Sequence, residues 1–156
     1  MKKIKAKDKL HYTGCGLDYI YLMNGFDLYE DEDGDMAYAI HSADRLHETI
    51  AYAIITEVPH LRGMELRFLR SFLHISQASM AKCLKRSRDS IAKMEADLKK
   101  ELPDQTEALL RVFVMGHLKE NTTIKKMINI LQKIEDMEEN ELILENHKDK
   151  WDIMAA

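Results

Sequence analysis

The spacing of apolar residues changes along this chain. Between residues 10 and 41 they fall in short β-prone runs: Tyr19-Ile20-Tyr21-Leu22-Met23, Phe26-Asp27-Leu28-Tyr29-Glu30 and Met36-Ala37-Tyr38-Ala39-Ile40. Asn24-Gly25 separates the first two and Asp33-Gly34 the last two. Asn-Gly between such runs is a strong hairpin signal, because both residues accept positive φ. The pattern predicts a three-stranded antiparallel meander, too small to be stable without something packed on it. From Ser42 the period becomes helical. Ser42 or Asp44 can cap a helix running to about Glu57, with Leu46, Ile50, Ala53 and Ile54 on one face and Pro59 beyond its end. A second helix opens at Gly63 and carries Leu66, Leu69 and Leu73 on one face. A third, short one runs from near Ser76 to Leu84. Lys85-Arg86-Ser87-Arg88 interrupts the apolar pattern as a turn, and Ser87 can cap a fourth helix from Arg88. Pro103 and Asp104 start a fifth, carrying Leu109, Leu110, Val112 and Phe113. The stripe Ile124, Met127, Ile128, Leu131, Ile134 and Met137 predicts a C-terminal helix that packs on its own chain or on a partner.

The expected fold class is therefore mainly α (α+β). A small N-terminal antiparallel sheet with its helix occupies residues 1–58 and serves an effector, a partner or dimerisation. The second to fifth helices place a helical domain at 59–118. A C-terminal helix at 119–156 serves packing or dimerisation. Six Gly and two Pro in 156 residues leave little room for long irregular loops. Cys15 and Cys83 are far apart in an intracellular-looking sequence, so no structural disulfide is expected. No apolar run reaches the roughly 18 residues of a membrane span. No apolar stretch follows the charged N-terminus as in a signal peptide, so the expected location is the cytoplasm.

Charge adds a direction. The net charge is -4, which by itself argues against nucleic acid. Between Arg62 and Lys100, however, there are ten basic and four acidic residues, a local net of +6 that leaves -10 for the rest. A basic patch concentrated on an acidic protein is the footprint of a DNA binder. The same segment meets the demands of a helix-turn-helix. Ala81 is small where two helices cross, Met80, Leu84, Ile91 and Met94 clamp the pair, and Ile91, Met94 and Leu98 form an apolar face on the fourth helix. Arg88, Asp89, Ala92 and Lys93 line its opposite face, polar and small enough to enter a groove.

This stretch resembles the lambda-repressor/Cro-like (Xre) family of regulators. The likeness lies in Leu66, Leu69 and Arg70, in Ile75-Ser76-Gln77, in Met80-Ala81 with Leu84, and in Ser87, Ser90-Ile91 and Lys93-Met94-Glu95. Lys85 stands where the family has Gly in the turn, Met94 where it has an aromatic residue, and Asp97 where it has Gly. More widely, His47 to Val114 is similar to the C-terminal half of MqsA-type (YgiT-like) antitoxins, through the Leu-x-Gly-x-Glu-Leu-Arg-Phe-Leu-Arg segment at Leu61 to Arg70. The zinc-binding half of those antitoxins has no counterpart, since this chain lacks a Cys-x-x-Cys pair. The resemblance implies a homodimeric repressor on a palindromic operator, with double-stranded DNA as partner and, in the antitoxin form, a toxin protein and an autoregulated promoter. It implies that Asp89 and Lys93 face bases with Arg88 beside them, and that Gln77 lies at a helix N-terminus against phosphate. The expected DNA-binding set is Ser76, Gln77, Arg86, Ser87, Arg88, Asp89, Ser90, Lys93, Lys99 and Lys100. The alternative is a protein-interaction module with a helix-turn-helix fold that does not bind DNA.

Other signals are weaker. Gly14-Cys15-Gly16 lacks the third glycine of a dinucleotide loop, since residue 19 is Tyr. His11, Cys15, His41 and His47 match no compact zinc spacing. Five lysines among the first nine residues read as a disordered, solvated tail, or as an arm reaching a DNA groove. No nucleophile–base set or paired carboxylates stand out, so neither an enzyme nor a cofactor or metal is expected.

Overall fold

The computed structural model describes residues 1–118, 130, 134 and 137–154. Its elements run β1 (Lys2–Ile4), β2 (Leu10–His11), β3 (Ile20–Leu22), β4 (Phe26–Glu30), β5 (Met36–Ile40), α1 (Ala43–Glu57), α2 (Gly63–Phe72), α3 (Gln77–Leu84), α4 (Arg88–Ala96), α5 (Asp104–Leu118), β6 (Leu142–His147) and β7 (Lys150–Ile153). They form two compact units, Met1–Thr49 with Asn140–Ala156, and Ile50–Glu139.

The first unit holds two sheets where one meander was expected. Strands β1, β4 and β5 make an antiparallel sheet in that order; β2, β3, β6 and β7 make another, in which β3 runs parallel to β6. Asp33-Gly34 does close a hairpin, with Gly34 at φ +86 and the Asp31 carboxylate accepting from the N–H groups of Asp33 and Asp35 at 3.0 and 2.8 Å. Asn24-Gly25 does not. Only Gly25 has positive φ, +79, whereas a two-residue hairpin of the Asn-Gly kind needs it at both positions. Instead the chain passes there from one sheet to the other. The Asn24 side-chain oxygen accepts the Asn146 N–H, and a Cβ on Gly25 would come within 2.3 Å of the Trp151 ring. Gly25 is thus required by its backbone angle and by the indole beside it.

The predicted C-terminal helix is corrected in the same unit. The chain ends in β6 and β7, a hairpin closed by Lys148 and Asp149, both at positive φ (51° and 63°). Leu142 and Leu144 point inward at 7% and 0% exposure, a period of two that suits a strand. Of the stripe expected at 124–137, only Ile134 (buried) and Met137 are among the described residues; the rest lies outside them.

In the second unit the helices expected up to Leu118 are present. Ile50, Ala53 and Ile54 of α1 are fully buried, as are Leu66 and Leu69 of α2. Gly63 starts α2 against the end of α4: a Cβ there would lie 2.1 Å from the Met94 carbonyl oxygen. This closeness lets the Gly63 and Met64 N–H groups donate to the Lys100 and Leu98 carbonyls at 3.2 Å each, pairing donors that a helix N-terminus leaves open. Arg111 of α5 is fully buried and does the converse for α1. Its guanidinium donates to the carbonyls of Ile55 (2.9 Å) and Val58 (2.6 Å) and to the Glu107 carboxylate (2.6 Å). The other side of α5 is open, with Leu109, Val112 and Phe113 at 43, 43 and 41% exposure.

Candidate nucleic-acid interface

Two short helices and the turn between them build the site. Ser76 caps α3, its hydroxyl accepting from the Ser79 N–H at 3.0 Å, and Ser87 caps α4 through the Ser90 N–H at 3.1 Å. Each cap satisfies a donor that the first turn leaves open. Between them Lys85 adopts the left-handed conformation (φ 55°, ψ 43°), and the N–H groups of Lys85 and Arg86 both reach the Ala81 carbonyl. The turn therefore needs positive φ at the position where the resemblance has Gly, and a lysine supplies it at some steric cost.

The helices are clamped by Met80, Ala81, Leu84 and Ile91, at 0, 4, 2 and 0% exposure. Glu95, not Leu98, completes the inner face of α4. That helix ends at Ala96, leaving Leu98 beyond it and 40% exposed. Glu95 is 6% exposed and held by three groups: Arg70 through Nε (2.5 Å) and Nη2 (3.1 Å), and the Gln77 amide (2.9 Å). Arg70 also donates to the Ile75 carbonyl at 3.1 Å, and hydrogen bonding to Glu95 raises its pKa further above an already high value. This network ties α2, the start of α3 and the end of α4 into one body. The expected role of Gln77 looked outward to phosphate; its amide nitrogen is directed to Glu95.

The remaining expected residues fall into groups. Arg88, Asp89 and Lys93 are exposed on α4, with Asp89 and Lys93 one turn apart on the side away from Ile91 and Glu95. Ser90 is half-buried on the same helix. Arg86 is exposed but tethered, its Nε donating to the buried Thr106 hydroxyl at 2.9 Å. Lys99 and Lys100 are exposed beyond the end of α4. Among the described residues Lys85, Arg88, Lys93 and Lys100 have no ion-pair partner. Comparison with family models, curated proteins and solved structures finds no match. The site thus stands on its own geometry.

Among the described residues the first unit gathers no rival centre. His11 meets the Asp18 carbonyl at 2.8 Å and stacks on Tyr21; His41 pairs with Asp27 at 3.0 Å. His47 Nε2 lies 2.8 Å from the Tyr12 hydroxyl. Burial pushes the Tyr12 phenol up to about 12 and the His47 imidazole down, so both groups of this pair favour their neutral forms. Cys15 and Cys83 are free thiols. Among the described residues no group of three or more His, Cys, Asp or Glu could hold a metal ion, and no helix is long and apolar enough to cross a membrane. The lysine-rich N-terminus is not a disordered tail: Lys2–Ile4 pair with β4, Lys3 bonds Asp27 at 2.7 Å, and Lys9 pairs with Glu141 and lies over the Tyr21 ring.

Proposed function

We propose that the Ile50–Glu139 unit is a helix-turn-helix module through which the protein binds double-stranded DNA sequence-specifically and represses transcription. The observation that carries this reading is the outer face of α4. It exposes Asp89, Lys93 and the small Ala96, with Ala92 half-buried at its flank, and Lys85, Arg88 and Lys100, which have no ion-pair partner among the described residues, adjoin it in sequence. Short polar side chains let a helix enter the major groove, and unpaired cations suit its phosphate rims. The narrower form of the reading is an antitoxin that represses its own operon; a toxin-like gene beside this one would support it.

Neutralising about five phosphates should give a slope of about -4.5 in log K against log salt concentration. Retention of fragments from upstream of the protein's own gene, measured at two salt concentrations, tests this. No retention at low salt would favour the protein-interaction module instead.

A further inference from the structure

The outer face of α4 carries one anion among its cations. Ile91 and Glu95 are buried and Met94 is half-buried, while Asp89, Lys93 and Ala96 are exposed. At about 100° per residue, this sets Asp89 and Lys93 side by side on the outward face. Among the described residues Asp89 has no ion pair, although Arg88 is its neighbour and Lys93 is one turn away. Its carboxylate is available to whatever the face meets.

A carboxylate works against phosphate, which the surrounding cations attract. Its favourable place on a duplex is over base edges, where an acceptor needs a donor. The major groove offers two such donors, N4 of cytosine and N6 of adenine. At adenine the amine adjoins N7, a second acceptor that repels the carboxylate. Cytosine has no acceptor beside N4 on its own base. The acceptors nearby belong to guanine, O6 and N7, and these suit the ammonium of Lys93. Thymine O4 and guanine O6 both repel an anion.

We propose that Asp89 is a specificity-determining residue that selects cytosine at one position of each operator half-site, accepting a hydrogen bond from its N4 amine. The proposal rests on the DNA-binding reading above and names part of what that site recognises. Asp89 also sits in the first turn of α4, where an acid favours the helix dipole. That role affects stability but creates no base preference, so the two are separable.

The test is selection of bound duplexes from a random-sequence library by the full-length protein and by Asp89→Asn. Affinities for the four bases at each selected position follow. A thermal melt close to that of the unaltered protein certifies that the variant is folded. The unaltered protein is expected to prefer cytosine at one position per half-site by about 10-fold. In Asp89→Asn the preference should move to adenine by a similar factor, because an amide pairs with both N6 and N7, and other positions should be unchanged. Identical preferences for both proteins, or a uniform gain of Asp89→Asn on every sequence, would overturn the assignment. In both cases DNA binding itself would stand. Failure of the unaltered protein to retain any duplex at low salt would overturn the DNA-binding reading, and this proposal with it.

Discussion

At the residue scale, the proposed function gives two lysines close in sequence different work. Lys93 is exposed on α4 opposite Ile91, on the face that also holds Asp89. There an ammonium can donate to guanine O6 and N7. Lys100 follows the helix, its carbonyl engaged by the Gly63 N–H, and its side chain is suited to phosphate, which carries no sequence information directly. Lys93→Ala is expected to cost about 1–3 kcal/mol on the operator and to relax preference at one base position per half-site. Lys100→Ala should weaken operator and random DNA alike and flatten the salt slope by about one unit. Competition binding against single-base operator variants separates the two. An equal loss on every variant for Lys93→Ala would mean that α4 lies in the groove with another face inward, and Arg88 would become the better base reader.

At the element scale, Arg111 joins α5 to the end of α1. It satisfies carbonyls that a helix C-terminus leaves open and neutralises the buried Glu107. Arg111→Met should cost about 3–5 kcal/mol in urea unfolding, because it strands a buried carboxylate. Adding Glu107→Leu removes that charge but leaves the Ile55 and Val58 carbonyls without their donor. The double variant should therefore stay about 1–3 kcal/mol below the parent for each carbonyl that water does not reach. Full recovery would reduce Arg111 to a partner of Glu107 alone. These helices were legible in the sequence because their signals are local. The faces Ile50-Ala53-Ile54 and Leu66-Leu69 repeat every three or four residues, and the caps Ser76 and Ser87 bond only three residues on. The β4–β5 hairpin was legible through its two runs and Asp33-Gly34, but the rest of the sheets was not, because that pairing is decided at a distance. The turn at Asn24-Gly25 owes its course to Asn146 and Trp151, more than 100 residues later. β1 and β2 have only 3 and 2 residues, too few for an alternation to show, and the β6–β7 turn uses Lys148-Asp149 with no glycine. At the site the outer face of α4 was legible from spacing. The inner position of Glu95 was not, since an acid becomes a core residue only once Arg70 and Gln77 reach it from 25 and 18 residues away. The Arg-to-Glu spacing, with Gln between them, was the one signal that could have been weighed.

At the scale of the whole molecule, the proposed function sets an oligomeric requirement. α4 has 9 residues, and the outward ones reach only a few base pairs. Sequence-specific recognition then calls for two such helices on half-sites about 34 Å apart, one turn of DNA, related by the symmetry of a palindrome. The full-length protein is expected to scatter light as a dimer of 18.2 kDa chains, free or at least on DNA. Truncation is a poor way to find the seam, because residues 142–153 supply two strands of a four-stranded sheet and removing them would damage the first unit. Altering the operator instead leaves the protein intact. Inserting about 5 base pairs between the half-sites, half a turn, turns them to opposite sides of the duplex. Affinity should then fall to that of a single half-site if the dimer is rigid, and dimer-sized complexes should no longer span the site. A monomer in light scattering both free and on DNA, with affinity unchanged by the insertion, would mean that one copy reads the whole operator and that no homodimer is needed.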